Sequence, residues 1–174
     1  EVLDISYNPL NSLNISSFAR MPELAKLNLE FTNVSAESLT YGTFSHNPNL
    51  TQLDLSYNKL GLIDFSVFPT LTQLTHLKID GNNLTEVSYE NFKINFPRLL
   101  LVSITDNDWN CTYLSAMIKK LKAMNLIIFV FATQRVYDDT NVDGIRCVKN
   151  NSQHVNWVKP IVHFDVDEMT TLVY

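Results

Sequence analysis

A short block of alternating hydrophobic residues recurs five times along the first 110 residues of the chain. Its central residues are 24, 26, 24 and 25 positions apart, and they are Leu3, Leu27, Leu53, Leu77 and Val102. The four complete blocks fill every apolar position of the pattern Leu-x-x-Leu-x-Leu-x-x-Asn-x-Leu. Because side chains alternate across a strand, each block predicts a short strand with two apolar side chains in a core. The regular spacing predicts a solenoid of stacked strands.

A polar residue follows each predicted strand at the same place in the repeat. These residues are Asn8, Thr32, Asn58, Asn82 and Asn107. An asparagine amide both donates and accepts hydrogen bonds, so it can satisfy backbone groups that a turn would otherwise leave buried and unpaired. The asparagines therefore predict a ladder along the solenoid. Thr32 interrupts that ladder, which predicts a local distortion in the second repeat.

A second periodic set of residues lies on the returning side of each repeat. It consists of Phe18, Phe44, Phe68 and Phe92, at separations of 26, 24 and 24 residues. Aromatic rings repeated at the period of the solenoid are expected to stack inside it. We interpret this column as core packing and not as a ligand site.

Together these positions make residues 1–110 resemble the leucine-rich-repeat family, with the repeat length of about 24 residues found in its extracellular members. The resemblance implies about five repeats, the first one truncated. It also implies an α/β repeat fold, a solenoid with a short parallel sheet on its concave face. Members of this family bind macromolecules, but many unrelated binders share the fold, so the resemblance does not identify a partner.

A different pattern begins at residue 107, where the sequence reads Asn-Asp-Trp-Asn-Cys. Residues 112–125 then predict an amphipathic helix, and its apolar face carries Leu114, Met117, Ile118, Leu121 and Met124. The apolar run over 126–131 predicts a buried strand. A solenoid end must be covered, so we expect residues 111–148 to form a C-terminal cap. Residues 149–174 are predicted to form an extension with a short strand at Val162, Phe164 and Val166.

The cap resembles the cysteine-containing caps of extracellular leucine-rich-repeat proteins. That resemblance implies a disulfide bond between Cys111 and Cys147, the two cysteines of the chain. Caps of vertebrate matrix proteoglycans and Toll-type receptors commonly carry more cysteines, and this chain departs from them. The cap is more similar to that of the secreted leucine-rich-repeat immune proteins of insects. This similarity implies a role in innate immunity and a protein partner.

Charge and composition indicate which class of partner and which cellular compartment to expect. The formal net charge of the 174 residues is −5, which disfavours nucleic acid because phosphate recognition needs clustered Lys and Arg. The longest apolar run, residues 126–132, is too short to span a bilayer, so membrane insertion is not expected. Six Asn-x-Ser/Thr sequons predict a secreted glycoprotein, and their asparagines are Asn14, Asn33, Asn49, Asn83, Asn110 and Asn150.

The chain opens at Glu1 inside a repeat, with no cap before it. An uncapped solenoid end is adhesive, so we expect either a longer parent protein or self-association through this end. These two expectations correspond to two alternative functions. A longer parent protein would make the chain a fragment of a receptor ectodomain, and self-association would make it a structural extracellular protein.

The predicted concave face is the candidate binding surface, because strand residues that point away from the core line it. The candidate residues are Lys26, Asn28, Glu30, Gln52, Asp54, Ser56, His76, Lys78 and Asp80. Their mildly negative balance favours a basic patch on a partner. Phe31 and Tyr57 follow the strands and are expected to flank this face. The alternative interpretation is an ordinary solvated sheet.

Enzymatic function is not predicted. The chain contains neither a P-loop nor a G-x-S-x-G elbow. His76, Asp54 and Ser56 fall on neighbouring strands as a triad would, but a flat face offers no substrate pocket or oxyanion hole. Asp138, Asp139 and Asp143 fit no EF-hand spacing and are interpreted as a solvated turn. We therefore expect no cofactor and no metal.

Overall fold

The computed structural model describes residues 1–10, 13–14, 16–39, 42–65, 68, 71–130 and 140–149. Six parallel strands form one sheet in the order of the sequence. They are β1 (Val2–Asp4), β2 (Lys26–Asn28), β3 (Gln52–Asp54), β4 (His76–Lys78), β5 (Leu101–Ser103) and β6 (Ile127–Phe129). The central residues of successive strands pair with one another, as Leu27 does with Leu53. The predicted solenoid and its register are confirmed.

Buried side chains fill the space behind this sheet. Repeat leucines such as Leu29, Leu55 and Leu74 are completely buried. Removing such a side chain from water stabilises the fold by roughly 1.5–3 kcal/mol. Each strand has only three residues, so the core depends on stacking between repeats more than on pairing within one strand.

The asparagine ladder is present and has a consistent hydrogen-bonding role. Asn58 Oδ1 accepts from the backbone N–H groups of Thr32 and Val34, at 3.1 and 2.9 Å. Asn58 Nδ2 donates to the carbonyls of Leu29 and Leu55, at 2.7 and 3.0 Å, and to a third carbonyl at residue 56. The amide thus ties the turn of one repeat to the turn before it.

Thr32 does not distort the second repeat in the way the sequence suggested. Its buried hydroxyl donates to the carbonyl of Leu29 at 2.6 Å, which replaces one amide donor. Its backbone carbonyl accepts from the N–H of Leu10 at 2.8 Å. In the next repeat the equivalent N–H, that of Val34, donates to Asn58 Oδ1. The strand register runs from β1 through β2 to β3 without a shift.

The phenylalanine column follows the prediction through its first three members. Phe18 stacks on Phe44 and Phe44 on Phe68, with ring centroids 6.0 and 5.5 Å apart. The column then continues through Phe65, which contacts Phe68 and meets Phe92 edge-to-face at 5.5 Å. All of these rings are buried. The short helix α1 (Phe92–Asn95) closes the return of the fourth repeat.

The cap consists of the helix α2 (Cys111–Ala123), strand β6 and an antiparallel hairpin of β7 (Asn141–Val142) and β8 (Ile145–Arg146). Helix α2 begins at Cys111 because the side chain of Asn110 accepts from the first free N–H groups, at 2.9 and 3.3 Å. Its predicted face, Leu114, Met117, Ile118 and Leu121, is buried. Met124, expected on the same face, lies just past the helix as its C-cap.

The disulfide bond between Cys111 and Cys147 is confirmed, with an S–S distance of 2.12 Å. It joins the first turn of α2 to the residue that follows β8. The hairpin turn uses Asp143 and Gly144, both at positive φ, as a two-residue turn between antiparallel strands requires. Two further hydrogen bonds dock this segment, from Cys111 N to Val148 O and from Val148 N to Trp109 O.

Several predictions fall outside the described residues. The strand at Val162, Phe164 and Val166, the acidic residues Asp138 and Asp139, and the sequon at Asn150 all lie there. In the described ranges, no helix has the length and apolar character needed to cross a bilayer.

Candidate functional site: the concave sheet

The register of the six strands places the candidate residues in columns. The first column runs from Val2 through Lys26, Gln52 and His76 to Leu101 and Ile127. Its two ends are apolar and exposed, Val2 at 70% and Ile127 at 44%. The first column therefore offers polar side chains framed by apolar ones.

The second column contains one hydrogen-bonded pair and one ion pair. Asn28 Nδ2 donates to Asp4 Oδ2 at 3.1 Å, and Lys78 Nζ lies 3.0 Å from Asp54 Oδ2. Burial lowers the pKa of Lys78, but the Asp54 carboxylate more than offsets this and the net shift is upward. Lys78 is therefore a cation at neutral pH, held in place by Asp54.

Six of the nine candidate residues line one open concavity of about 220 Å³ over β1 to β4. They are Lys26, Asn28, Gln52, Asp54, His76 and Lys78. His76 Nδ1 lies 2.8 Å from the hydroxyl of Thr75. Burial, together with the two neighbouring lysines, lowers the pKa of His76, so its imidazole is neutral at physiological pH.

The third column requires a correction. Ser56 and Asp80 were expected on the exposed face, but they are 3% and 0% exposed. The reason is that each strand ends two residues earlier, at Asp54 and Lys78, so these residues lie in the turn and are covered by the next repeat. Asp80 cannot contribute to the acidic character of the surface.

Asp80 is the acceptor at the centre of a buried polar cluster. Its Oδ1 accepts from Ser103 Oγ, Thr105 Oγ1 and Thr105 N, at 2.8, 2.7 and 2.6 Å. Its Oδ2 accepts from Ser56 Oγ at 3.3 Å. Burial raises the pKa of Asp80 to about 6, although these hydrogen bonds oppose the shift. The cluster links the turns of three repeats.

This cluster predicts a pH dependence of stability. Between the usual pKa of 3.8 and about 6, the folded state keeps a proton on Asp80 that the unfolded state has lost. The contribution of Asp80 to the free energy of unfolding therefore falls as pH rises through this window, by about 3 kcal/mol. Asp80→Asn removes the ionisable group and retains an oxygen acceptor. In urea unfolding, the free energy of unfolding of the variant should rise relative to that of the wild type by about 2 kcal/mol between pH 4 and pH 7. Parallel pH profiles of the two proteins would contradict the assignment.

Glu30 differs from the other candidates of the third column because it is only partly buried. Burial, and then repulsion from Asp54, raises the pKa of Glu30 to about 7, while Lys78 acts in the opposite direction. Within the described residues its carboxyl group accepts no hydrogen bond and forms no ion pair. Glu30 is therefore a carboxyl group on the face without a fixed partner in this part of the chain.

The three residues that resemble a hydrolase triad are not assembled as one. Ser56 is buried against Asp80, Asp54 pairs with Lys78, and His76 pairs with Thr75. In the described ranges, no three His, Cys, Asp or Glu side chains are placed to hold a metal ion. Asp143 pairs with Lys122 at 2.7 Å.

The structure also contains a feature that the sequence only hinted at. Tyr7 stacks on Phe31 and Phe31 on Tyr57, with ring centroids 5.0 and 4.6 Å apart and interplanar angles of 20° and 3°. We call these three residues the aromatic ridge. They immediately follow Ser6, Glu30 and Ser56, at the carboxyl-terminal edge of the concave sheet. Phe31 and Tyr57 were expected to flank the face, whereas Tyr7 was missed, although all three share one position in the repeat.

The sequons lie away from the columns of the concave face. Asn14, Asn33, Asn49 and Asn83 are exposed. Asn33 and Asn83 occupy the same repeat position, one residue after Thr32 and Asn82. Asn110 is partly buried and caps helix α2, a role that its sequon did not reveal.

Comparison with known proteins agrees with this architecture. Residues 32–84 match a family model described as Leucine rich repeat, and residues 1–21 match a second model of the same description. No curated protein sequence matches the chain.

Solved structures that share the fold include the following two. One is the TLR13–ssRNA13 complex, with 24% identity and a TM-score of 0.59 over 71% of this chain. Another is an octameric complex of latrophilin 3, Unc5D and the LRR region of FLRT2, with 18% identity and a TM-score of 0.55 over 84% of this chain. The chain spans 16% and 50% of the lengths of these two matched chains. The chain is thus a leucine-rich-repeat solenoid that ends in a disulfide-bearing cap.

Proposed function

We propose that this chain is an extracellular recognition module that binds a protein partner on its concave sheet. The observation that carries the proposal is the concavity over β1 to β4, where two lysines, carboxylates, amides and an imidazole converge. Exposed apolar residues stand at both ends of the first column. A mixed polar surface with apolar anchors is what protein interfaces use for affinity and specificity.

The extracellular location is supported by the covalent chemistry of the chain. The Cys111–Cys147 disulfide would persist in an oxidising compartment. The exposed sequons lie outside the concave columns, so glycans on Asn33 or Asn83 would leave the proposed binding face open. The role in innate immunity rests on the resemblance of the cap to insect immune proteins.

A protein partner is favoured over nucleic acid. One structure with this fold is a complex with single-stranded RNA and another is an assembly of proteins. The net charge of this chain is −5, and salt-dependent attraction to phosphates requires the opposite sign. We further propose that the chain acts by binding and not by catalysis, since His76, Asp54 and Ser56 each have other partners.

The second candidate is a segment of a larger receptor ectodomain. It is favoured because this chain covers only 16% and 50% of the two matched chains. In that case the concave face would continue into neighbouring repeats, and the isolated chain would bind the same partner more weakly.

A pair of charge reversals tests the proposed face. Lys26 is exposed on the first column, whereas Lys59 is exposed on the flank, one residue after the ladder asparagine. The immobilised wild type, Lys26→Glu and Lys59→Glu would each be exposed to the source's extracellular fluid, and retained proteins would be quantified by mass spectrometry. We expect a defined set of proteins on the wild type and on Lys59→Glu, and about a tenfold change in the retained amounts on Lys26→Glu, upward for partners that dock through basic residues.

Equal retention on all three proteins would reject the concave face as the binding site. Retention of the chain alone, with a mass that grows with concentration in light scattering, would replace the proposal by self-assembly. Circular dichroism of both variants serves as the control for folding.

A further inference from the structure

The backbone conformation of the aromatic ridge is unusual for aromatic residues. The φ angles of Tyr7, Phe31 and Tyr57 are 57°, 52° and 52°. The β-carbon of an L-residue disfavours this left-handed region. The fourth and fifth repeats place Gly81 and Asp106 at the same position, which are residue types that tolerate it. The first three repeats therefore carry a backbone cost that glycine would avoid, and three bulky rings are retained there despite it.

The rings are also held in place and left open to solvent. Tyr7 is 62% exposed and Phe31 is 44% exposed. At the other end of the ridge, Tyr57 lies over Gly81, where any β-carbon would clash with the tyrosine ring. The hydroxyl of Tyr57 donates to Asp106 Oδ2 at 2.7 Å. The ridge is thus a preorganised array of exposed rings with a fixed last member.

An acidic residue, Glu30, directly precedes Phe31 of the ridge. The pKa of Tyr7 is raised by burial and then by the charges of Glu30 and Asp54. The pKa of Tyr57 is raised by burial and by its hydrogen bond to Asp106, and Glu30 adds to that shift. Glu30 therefore acts on both ends of the ridge. Its carboxyl group has no hydrogen-bond or ion-pair partner within the described residues, so it is available to a cation of a bound partner.

We propose that the aromatic ridge and Glu30 form a docking surface for an arginine-containing basic segment of a protein partner. Phe31 lies between Tyr7 and Tyr57, so the ring face open to a partner is the outer face of Tyr7. A guanidinium group can stack on this face and simultaneously donate two hydrogen bonds to a carboxylate. Arginine suits this surface better than lysine, because its planar and weakly hydrated group can do both. An apolar segment would bury Glu30 without a counter-charge, and an acidic segment would be repelled. The inference rests on the proposed function, since it names the partner chemistry for the edge of the same face.

Labelled peptides test this chemistry without a known partner. The probes are three glycine–serine peptides that carry three arginines, three lysines or three citrullines, titrated by fluorescence anisotropy at about 150 mM salt, near the physiological ionic strength. The pKa of Glu30 is about 7, so the assay is set at about one unit higher to ionise it. The arginine peptide should bind several-fold more tightly than the lysine peptide, and the neutral citrulline peptide should not bind.

Two ridge variants and one matched control decide where the peptide binds. Tyr7→Gly and Glu30→Gln should each weaken binding of the arginine peptide about five- to tenfold. Glu37→Gln removes an equal charge from an exposed glutamate on a different part of the repeat, and it should change binding less than twofold. If Glu37→Gln weakens binding as much as Glu30→Gln, the peptide is held by net charge alone and the inference is wrong.

Tyr7→Gly also separates a binding role from a structural one. Glycine relieves the left-handed backbone while the stacking is lost, so the two effects oppose each other and the melting temperature should change by no more than a few degrees. Unchanged binding with a large drop in melting temperature would overturn the inference. Phe31→Gly, which removes the ring that supports Tyr7, is the second variant and should weaken binding in the same direction.

The outcome is distinguishable from failure of the proposed function. The charge reversal at Lys26 lies on the first column, away from the ridge. Partner capture that depends on Lys26 but not on Tyr7 or Glu30 would support the concave face and reject the ridge as a docking surface. Peptide binding at the ridge without any capture by the concave face would support the ridge and reject the concave face.

Discussion

Asn58→Ala should lower the free energy of unfolding by about 4 kcal/mol. The buried amide accepts from the backbone N–H groups of Thr32 and Val34, and it donates to three carbonyls. Alanine fills none of these roles, and Asn58 is only 5% exposed, so water cannot replace them without opening the turn. Each buried group left without a partner costs about 1–3 kcal/mol, and partial relaxation keeps the sum below a simple addition.

The same ladder provides the matched control. Asn8 occupies the equivalent position in the first repeat, but it is exposed and, among the described residues, donates to the carbonyls of Ile5 and Ser6. Asn8→Ala should therefore cost less than about 1 kcal/mol, because water can reach both carbonyls. Asn58→Thr, which copies the natural residue of the second repeat, should fall between the two. Urea unfolding followed by circular dichroism measures all three, and equal losses for Asn58→Ala and Asn8→Ala would refute the buried ladder as a source of stability.

The contrast between these two asparagines shows what a repeat pattern can and cannot predict. The spacing of leucines fixed the register of the sheet in advance, because a shift by one residue would turn the apolar side chains of a strand out of the core. Leu27 pairs with Leu53 and Leu77 with Val102 as the alignment requires. The pattern gives Asn8 and Asn58 the same role, whereas their burial depends on how many neighbouring repeats cover the turn.

The candidate face was predicted less well than the fold, for a geometric reason. Alternation tells which way a side chain points only while the backbone remains a strand. Each strand here has three residues. Lys26, Gln52 and His76 lie within their strands, so alternation correctly placed their side chains on the open face. Ser56 and Asp80 lie two residues beyond a strand, in a turn that the next repeat covers. Extending the alternation past the strand end made two buried residues look like surface ones.

The aromatic ridge escaped prediction for a related reason. Its members precede the ladder position in their repeats, so their common spacing was visible in the sequence. Whether they stack depends on the left-handed backbone at Tyr7, Phe31 and Tyr57, and on the space that Gly81 leaves beside the last ring. Glycine and asparagine commonly indicate a positive φ angle, whereas aromatic residues do not. A rule based on residue type therefore could not predict the left-handed backbone on which the stacking depends.

Both packing and the disulfide bond hold the cap on the end of the solenoid. Strand β6 adds to the edge of the sheet beside β5, with Val102 paired to Ile128, and helix α2 covers the apolar end of the last repeat. Trp109 is completely buried there and donates to the carbonyl of Ile104 at 2.7 Å. The hairpin of β7 and β8 is small, and a two-stranded ribbon is marginally stable by itself. Its attachment therefore depends on the buried Ile145, on hydrogen bonds to residue 148 and on the disulfide.

Replacing both Cys111 and Cys147 by alanine should lower the free energy of unfolding by about 4 kcal/mol in the chain-entropy model. The bond closes a loop with a sequence separation of 36 residues, so its removal mainly enlarges the freedom of the unfolded chain. Either single replacement breaks the same bond, so Cys111→Ala and Cys147→Ala should each cost nearly as much as the double change. Alanine is used because Cys147 is buried and a serine hydroxyl there would add a separate penalty. Losses that differ by more than about 1 kcal/mol between the single variants, or a thiol that reacts in the unreduced wild type, would contradict the pairing as the source of the stability of the cap.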